Sequence, residues 1–323
     1  MLLEVLEPGF MATIQDVPGR RGHARRGVPR SGAMDWFALT AANYLVGNDW
    51  NAAGLECFAS GSVLRAGADV MVAAAGRGFE LCVDDDHFPL WTAVPVHRGQ
   101  CIQLMALPDA GWGYLAVSGG INVPQVMGSY ATCLRAGFGG FEGRELRAGD
   151  VLETGKVTEQ TWVQGRAGRS LPAAVLPAYA ETVVVQVIPG PQVERFKPDG
   201  WQAFLANEYA VSSLSDRMGY RLEGASIPMT SAADVLSEGT LPGVVQVPGN
   251  GQPVVLMADS QTTGGYAKIA TVITADLPIL AQCVPGRGRV RFQETTVTAA
   301  QERYRGLLRQ LQQAIMENTC LNE

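Results

Sequence analysis

Glycine recurs so often along this chain that long uninterrupted helices are confined to a few stretches. It supplies 38 of 323 residues, about 12% against a usual ~7%, singly or in pairs and without a collagen-like period. With 18 prolines added, the pattern describes many tight turns, the mark of a β-rich protein. Short apolar runs lie between these turns at 63–64, 70–75, 79–83, 101–104 and 114–117, spaced as for the strands of a barrel or sandwich.

The expected fold is mainly β, with two domains whose strand spacing fits a barrel or a sandwich, a few helices and a C-terminal amphipathic helix. Residues 1–160 form the N-terminal barrel domain with its Gly-rich loop and helix. That helix spans 36–46, with Asp35 as N-cap and Gly47 just past its end. A hairpin is expected from 79–83 and 88–91 around Asp84-Asp85-Asp86-His87. Residues 156–181 read as a linker, with Gly165, Gly168, Pro172 and Pro177. Strand-like runs resume at 182–188, 220–222, 244–247, 254–257 and 269–273, giving a second barrel over 182–297. Residues 298–323 form a helix and tail. Tyr304, Leu307, Leu308, Leu311 and Ile315 repeat at helical spacing, and Thr298 with Gln301 matches a capping box.

Several function classes are excluded. Acidic residues exceed basic ones by 31 − 25 = 6 and the pI is near 5.2, which argues against gripping a nucleic-acid backbone. No apolar run approaches the ~18–20 residues of a membrane span. The start MLLEVLEPGF carries Glu4 and Glu7 and no basic segment, unlike a secretory signal. Six cysteines without C-x-x-C spacing read as reduced thiols of a cytoplasmic protein. There is no G-x-x-x-x-G-K-[ST] loop, no G-x-G-x-x-G after a strand and no G-x-S-x-G elbow. The three histidines lack H-x-x-x-H spacing, and Asp84–His87 is more simply a solvated hairpin tip than a metal site, so no metal is expected. Acid–base work then falls to carboxylates.

Three segments set polar residues beside glycines, where backbone can approach a ligand closely and offer N–H groups. The first holds Gln15, Asp16, Arg20, Ser31 and Asp35. The second runs from Gly119-Gly120 through Ser129, Thr132 and Gly139-Gly140 to Gly143-Arg144. The third joins Arg217 and Arg221 to Asp259, Gln261, Thr262, Thr263, Gly264, Gly265 and Tyr266. Threonine hydroxyls at 262 and 263 can donate to a carboxylate, and the N–H groups of Gly264 and Gly265 can form an anion nest. Asp16 and Asp259 are the catalytic candidates, for orienting water or a substrate N–H. Gln15, Arg20, Ser31, Asp35, Ser129, Thr132, Arg217, Arg221, Gln261, Thr262, Thr263 and Tyr266 are the substrate-binding candidates. The residues alone point to a small polar ligand, anionic or amide.

The same segments resemble the KipA family, also called allophanate hydrolase subunit 2 or biotin-dependent carboxyltransferase-like. The opening match is Ile14-Gln15-Asp16, Gly19-Arg20, Gly27-Val28-Pro29 and Ser31-Gly32-Ala33-Met34-Asp35. The middle adds Gly119-Gly120-Ile121, Gly128-Ser129 and Gly139-Gly140. Later come Ser215-Asp216-Arg217-Met218-Gly219-Tyr220-Arg221, Pro242-Gly243-Val244-Val245-Gln246-Val247-Pro248 and Gln261-Thr262-Thr263-Gly264-Gly265-Tyr266. Tyr130-Ala131 departs from the family, which often has a second serine before Thr132, and this puts a role for position 131 in doubt.

The resemblance implies cyclophilin-like β-barrels. It implies a component of an ATP-dependent 5-oxoprolinase, which opens 5-oxo-L-proline to L-glutamate and is inactive as the single chain. The implied partners are a KipI-like subunit, as a separate chain or fused, and a LamB/YcsF-like subunit that joins in the 5-oxoprolinase group. ATP is expected at the level of the complex, with no site located in this chain, and no biotin attachment is expected. Two alternatives stay open: a urea carboxylase or allophanate-type carboxyltransferase component, and a KipA-like regulator that binds a KipI-type kinase inhibitor.

Overall fold

The computed structural model describes residues 2–155, 166–196, 198–230 and 233–320. Residues 156–165 of the expected linker lie outside the described residues. The chain divides into two compact units, one of residues 1–20, 31–176 and 309–323, the other of residues 21–30 and 177–308. The chain is mainly β throughout, as its turn-rich composition requires. Among the described residues, no helix is long and apolar enough to cross a membrane.

The strands of the first unit are β1 (Leu2–Glu7), β2 (Thr13–Gln15), β3 (Gly54–Phe58), β4 (Ser62–Ala66), β5 (Val70–Gly76), β6 (Phe79–Val83), β7 (Asp86–Phe88), β8 (Ala93–Val96), β9 (Cys101–Ala106), β10 (Trp112–Val117) and β11 (Val151–Glu153). They form two antiparallel sheets, β11-β1-β4-β9-β6-β7 and β2-β3-β10-β5-β8. Leu3, Leu64, Leu81 and Leu104 of one sheet share a core with Leu55, Val72, Leu115 and Val117 of the other. β5 reads VMVAAAG and is buried on both faces. Its alternate residues Val70, Val72 and Ala74 enter this core, and the opposite face carries the helix α1 (Trp36–Val46), which packs on β5 and β10. Asp35 caps α1 through Ala38 N–H to Oδ1 at 2.9 Å, and Gly47 ends it at φ 80°, both as the sequence indicates. The hairpin at 79–88 also forms, with β7 shorter and earlier than expected.

The second unit contains β12 (Thr182–Pro189), α2 (Pro198–Ala206), β13 (Glu208–Val211), β14 (Gly219–Glu223), β15 (Asp234–Gly239), β16 (Val244–Val247), β17 (Val254–Leu256), β18 (Thr263–Val272), α3 (Leu277–Ala281) and β19 (Arg289–Glu294). The order β12-β19-β13-β14-β17-β16-β18 closes on itself because β18 also pairs with β12, giving a seven-stranded barrel. Closure removes the free edges of these strands. Among the described residues β15 stands outside the ring, paired to the first half of β18. The last helix, α4 (Val297–Cys320), begins two residues earlier than the capping box at Thr298 suggests. Thr296 caps it, with its hydroxyl accepting from Ala299 N–H at 3.2 Å, so Thr298 and Gln301 both lie inside the helix rather than at its cap. Arg303 of α4 bonds the buried Asp276 at 2.9 Å.

Candidate functional site

In the first unit, the segment after β2 and the loop from Gly128 to Gly143 build one buried polar cluster. Asp16 is 4% exposed. Its Oδ1 accepts from the Ser129 hydroxyl at 2.9 Å and its Oδ2 from the Tyr130 N–H at 2.7 Å. Burial pushes the Asp16 carboxyl above its ordinary value, while the Tyr130 N–H, the Ser129 hydroxyl and the Arg20 charge pull it back. Arg20 is buried too. It donates from Nη2 to the Ala131 carbonyl, and its guanidinium lies 4.6 Å from the Phe138 ring centroid. Gly139 is needed there, because a Cβ would meet both Arg20 and the Ala131 carbonyl.

Gln15 donates to Thr13 Oγ1 at 3.0 Å and to the Thr132 carbonyl at 3.3 Å. Thr132 in turn donates to the Ile14 carbonyl at 2.8 Å. Among the described residues, the buried Gln15 Oε1 and Ser31 Oγ have no hydrogen-bond partner. A buried carboxylate of raised pKa beside uncommitted polar atoms can take a proton or hold a small polar molecule.

Asp35 belongs to a neighbouring network. Its N–H donates to the Tyr114 hydroxyl at 2.8 Å, which donates to Glu56 Oε2 at 2.7 Å, and Met34 N–H reaches the same oxygen at 2.8 Å. Burial drives the Tyr114 hydroxyl well above its ordinary pKa, and the Glu56 and Asp35 charges add to the effect. Sequence reasoning missed Glu56 and Tyr114. The one visible signal is a glutamate set between Leu55 and Cys57 in an otherwise apolar run.

The second unit gathers most of the third segment at β14, β16 and β18. Arg217 grips Asp259 with Nε–Oδ2 at 2.7 Å and Nη2–Oδ1 at 3.2 Å. The Gln261 side chain reaches Gln246 Oε1 at 3.3 Å. Gln246 is 3% exposed, and its Nε2 has no partner among the described residues. Thr262 is half-buried, whereas Thr263 and Tyr266 are exposed. Arg221 lies on the exposed face of β14, away from its buried neighbours Tyr220 and Leu222.

The anion nest expected from Gly264 and Gly265 does not form. Both glycines lie within the strand β18, with Gly264 in register with Glu238. Glycine at 264 leaves room for a side chain instead: a Cβ there would come within 2.4 Å of Gln246 Nε2. Lys268, also missed from sequence, is 3% exposed on the same strand and is in register with Gln246.

Among the described residues, no group of His, Cys, Asp and Glu could hold a metal ion.

The model of the carboxyltransferase domain, subdomain A and B, matches residues 26–294. The chain is 41% identical to the C subunit of the Escherichia coli 5-oxoprolinase, over 88% of this chain and 89% of that protein. It is 37% identical to the C subunit of the Haemophilus influenzae 5-oxoprolinase, over 93% of each. Among solved structures, the Kluyveromyces lactis urea amidolyase superposes with a TM-score of 0.90 at 26% identity, covering 97% of this chain and 20% of that one. TTHA0988 superposes with a TM-score of 0.80 at 35% identity, covering 90% of this chain and 55% of that one. The chain is therefore a member of the carboxyltransferase-domain family that comprises subdomains A and B.

Proposed function

We propose that the chain is the C subunit of an ATP-dependent 5-oxoprolinase that hydrolyses 5-oxo-L-proline to L-glutamate. The observation that carries this reading is the likeness, over nearly the full length of both proteins, to two bacterial subunits of that name. A stable lactam is a poor electrophile, and ATP consumed by the assembly supplies the driving force. This chain's sequence has no phosphate-cradling P-loop, which suits a division of labour with KipI-like and LamB/YcsF-like partners in the cytoplasm. No biotin attachment is part of this reading.

Of the two carboxylate candidates, Asp16 is better placed to handle a proton. Its pKa is raised by burial and its carboxylate accepts from a hydroxyl and a backbone N–H, whereas Asp259 is ion-paired with the Arg217 guanidinium. Ser129 then orients the Asp16 carboxylate and Arg20 lowers its charge cost, while Gln15, Ser31 and Thr132 are the candidates to hold a ligand beside it.

The likeness to urea amidolyase supports a second reading, as part of a urea-carboxylating enzyme. It covers only 16% of the Saccharomyces cerevisiae protein, at 31% identity. An assay of the chain purified with its co-encoded neighbours separates the two. ADP release that depends on 5-oxo-L-proline supports the first reading, and release that depends on urea supports the second. The isolated chain is expected to be inactive in both.

A further inference from the structure

Lys268 is a buried cation whose counter-charge comes from outside the barrel. Its side chain is 4% exposed, and its Nζ lies 2.5 Å from Glu238 Oε1, on a side chain that is 45% exposed. Glu238 belongs to β15, which among the described residues pairs with β18 alone and is exposed along most of its length. A buried ammonium needs a fixed partner, yet this one is served by a glutamate on a mostly exposed strand.

The donors around that carboxylate are themselves held in place by hydrogen bonds. Gln192 Oε1 accepts from the Lys268 backbone N–H at 3.1 Å and from Nζ at 3.4 Å. That fixes the Gln192 amide so that Nε2 points at Glu238 Oε1, 2.5 Å away. One oxygen is thus held by two preset donors. On the neighbouring strand β16, in register with Lys268, the buried Gln246 offers an Nε2 that has no partner among the described residues, beside the glycine that makes room for it.

We propose that Lys268 and Gln192 form a binding site for the carboxylate of a small ligand, and that Glu238 fills this site until the ligand displaces it. Gln246 Nε2 then donates to a carbonyl of the same ligand. A lactam ring with a carboxylate on the carbon across the ring nitrogen from its carbonyl offers both groups. Naming 5-oxo-L-proline as that ligand rests on the 5-oxoprolinase reading; the carboxylate site itself does not.

The test measures binding to the full chain by titration calorimetry with three probes: cyclopentanecarboxylate, 2-pyrrolidinone and 5-oxo-L-proline. Glu238→Ala removes the internal competitor and should tighten cyclopentanecarboxylate binding about tenfold, while Lys268→Met should weaken it at least about tenfold. 2-Pyrrolidinone, which lacks a carboxylate, should respond to neither change. The proposal is overturned if Glu238→Ala binds the carboxylate no more tightly than wild type, or if Lys268→Met binds it equally well. Should Lys268→Met lose its cooperative melt, the exposed Glu238→Ala decides alone. Carboxylate binding that follows this pattern in a chain whose assembly ignores 5-oxo-L-proline keeps the site and rejects the substrate. Turnover of 5-oxo-L-proline with binding indifferent to both variants keeps the function and rejects the site.

Discussion

Arg217 and Asp259, 42 residues apart in the chain, face each other through two parallel hydrogen bonds of 2.7 and 3.2 Å. Both side chains are under a tenth exposed. The backbone repeats the link, with Asp259 N–H donating to the Arg217 carbonyl at 2.8 Å. This pair ties the turn before β14 to the turn before β18, and so fixes where Gln261 and Thr262 start.

Breaking it leaves a buried charge without its counter-charge. Asp259→Asn is expected to lower stability by about 3–5 kcal/mol, read from urea unfolding. A loss below about 1 kcal/mol would mean the pair is solvated and has no anchoring role.

Asp16 gives stability a definite pH dependence. Its folded pKa is raised above the ordinary 3.8, so between the two values the native state holds more protons than the unfolded one. Its contribution is therefore most favourable at low pH and declines as pH rises from about 3.8 through the raised value. The stability of wild type minus that of Asp16→Asn should fall across that window and then level off. A difference that rises with pH would mean that hydrogen bonds outweigh desolvation at this carboxylate.

Gly264→Ala separates site from scaffold. The added methyl meets the end of the Gln246 side chain at 2.4 Å, and a flexible amide can move away. Stability should change by no more than about 1–2 kcal/mol, while 5-oxoproline-dependent turnover by the assembly drops severalfold. Gly61→Ala is the contrast, since its methyl would meet the Leu104 carbonyl at 1.9 Å within the backbone. That variant should lose stability outright. Full activity in Gly264→Ala would remove Gln246 from the site.

Tyr114→Phe tests the network under α1. It takes a partner from both Glu56 and the Asp35 N–H, and should cost about 1–3 kcal/mol in unfolding free energy. A neutral result would mean that water replaces the hydroxyl.

Local chemistry explains what the sequence makes legible. Asp35 and Gly47 bound α1 because a cap and a left-handed residue act on their immediate neighbours. Strand positions follow from apolar runs in the same way. The cluster of Asp16, Ser129, Arg20 and Thr132 comes from two segments that already show polar residues beside glycines. Lys268 and Gln246 stay hidden because a lone polar residue in a strand reads as an exposed face. Only the register of β16 against β18 shows them side by side and buried. Gly264 misleads for a related reason: a glycine that clears space for another side chain looks, in sequence, like a glycine in a turn.

The most direct measurement holds the proposed KipI-like and LamB/YcsF-like partners constant with ATP and 5-oxo-L-proline, and titrates in this chain. ADP and L-glutamate should be absent without it, rise together as it is added, and saturate once the assembly is complete. Glutamate formation that proceeds at full rate without this chain, or ADP release that never depends on 5-oxo-L-proline at any amount of it, would contradict the assignment.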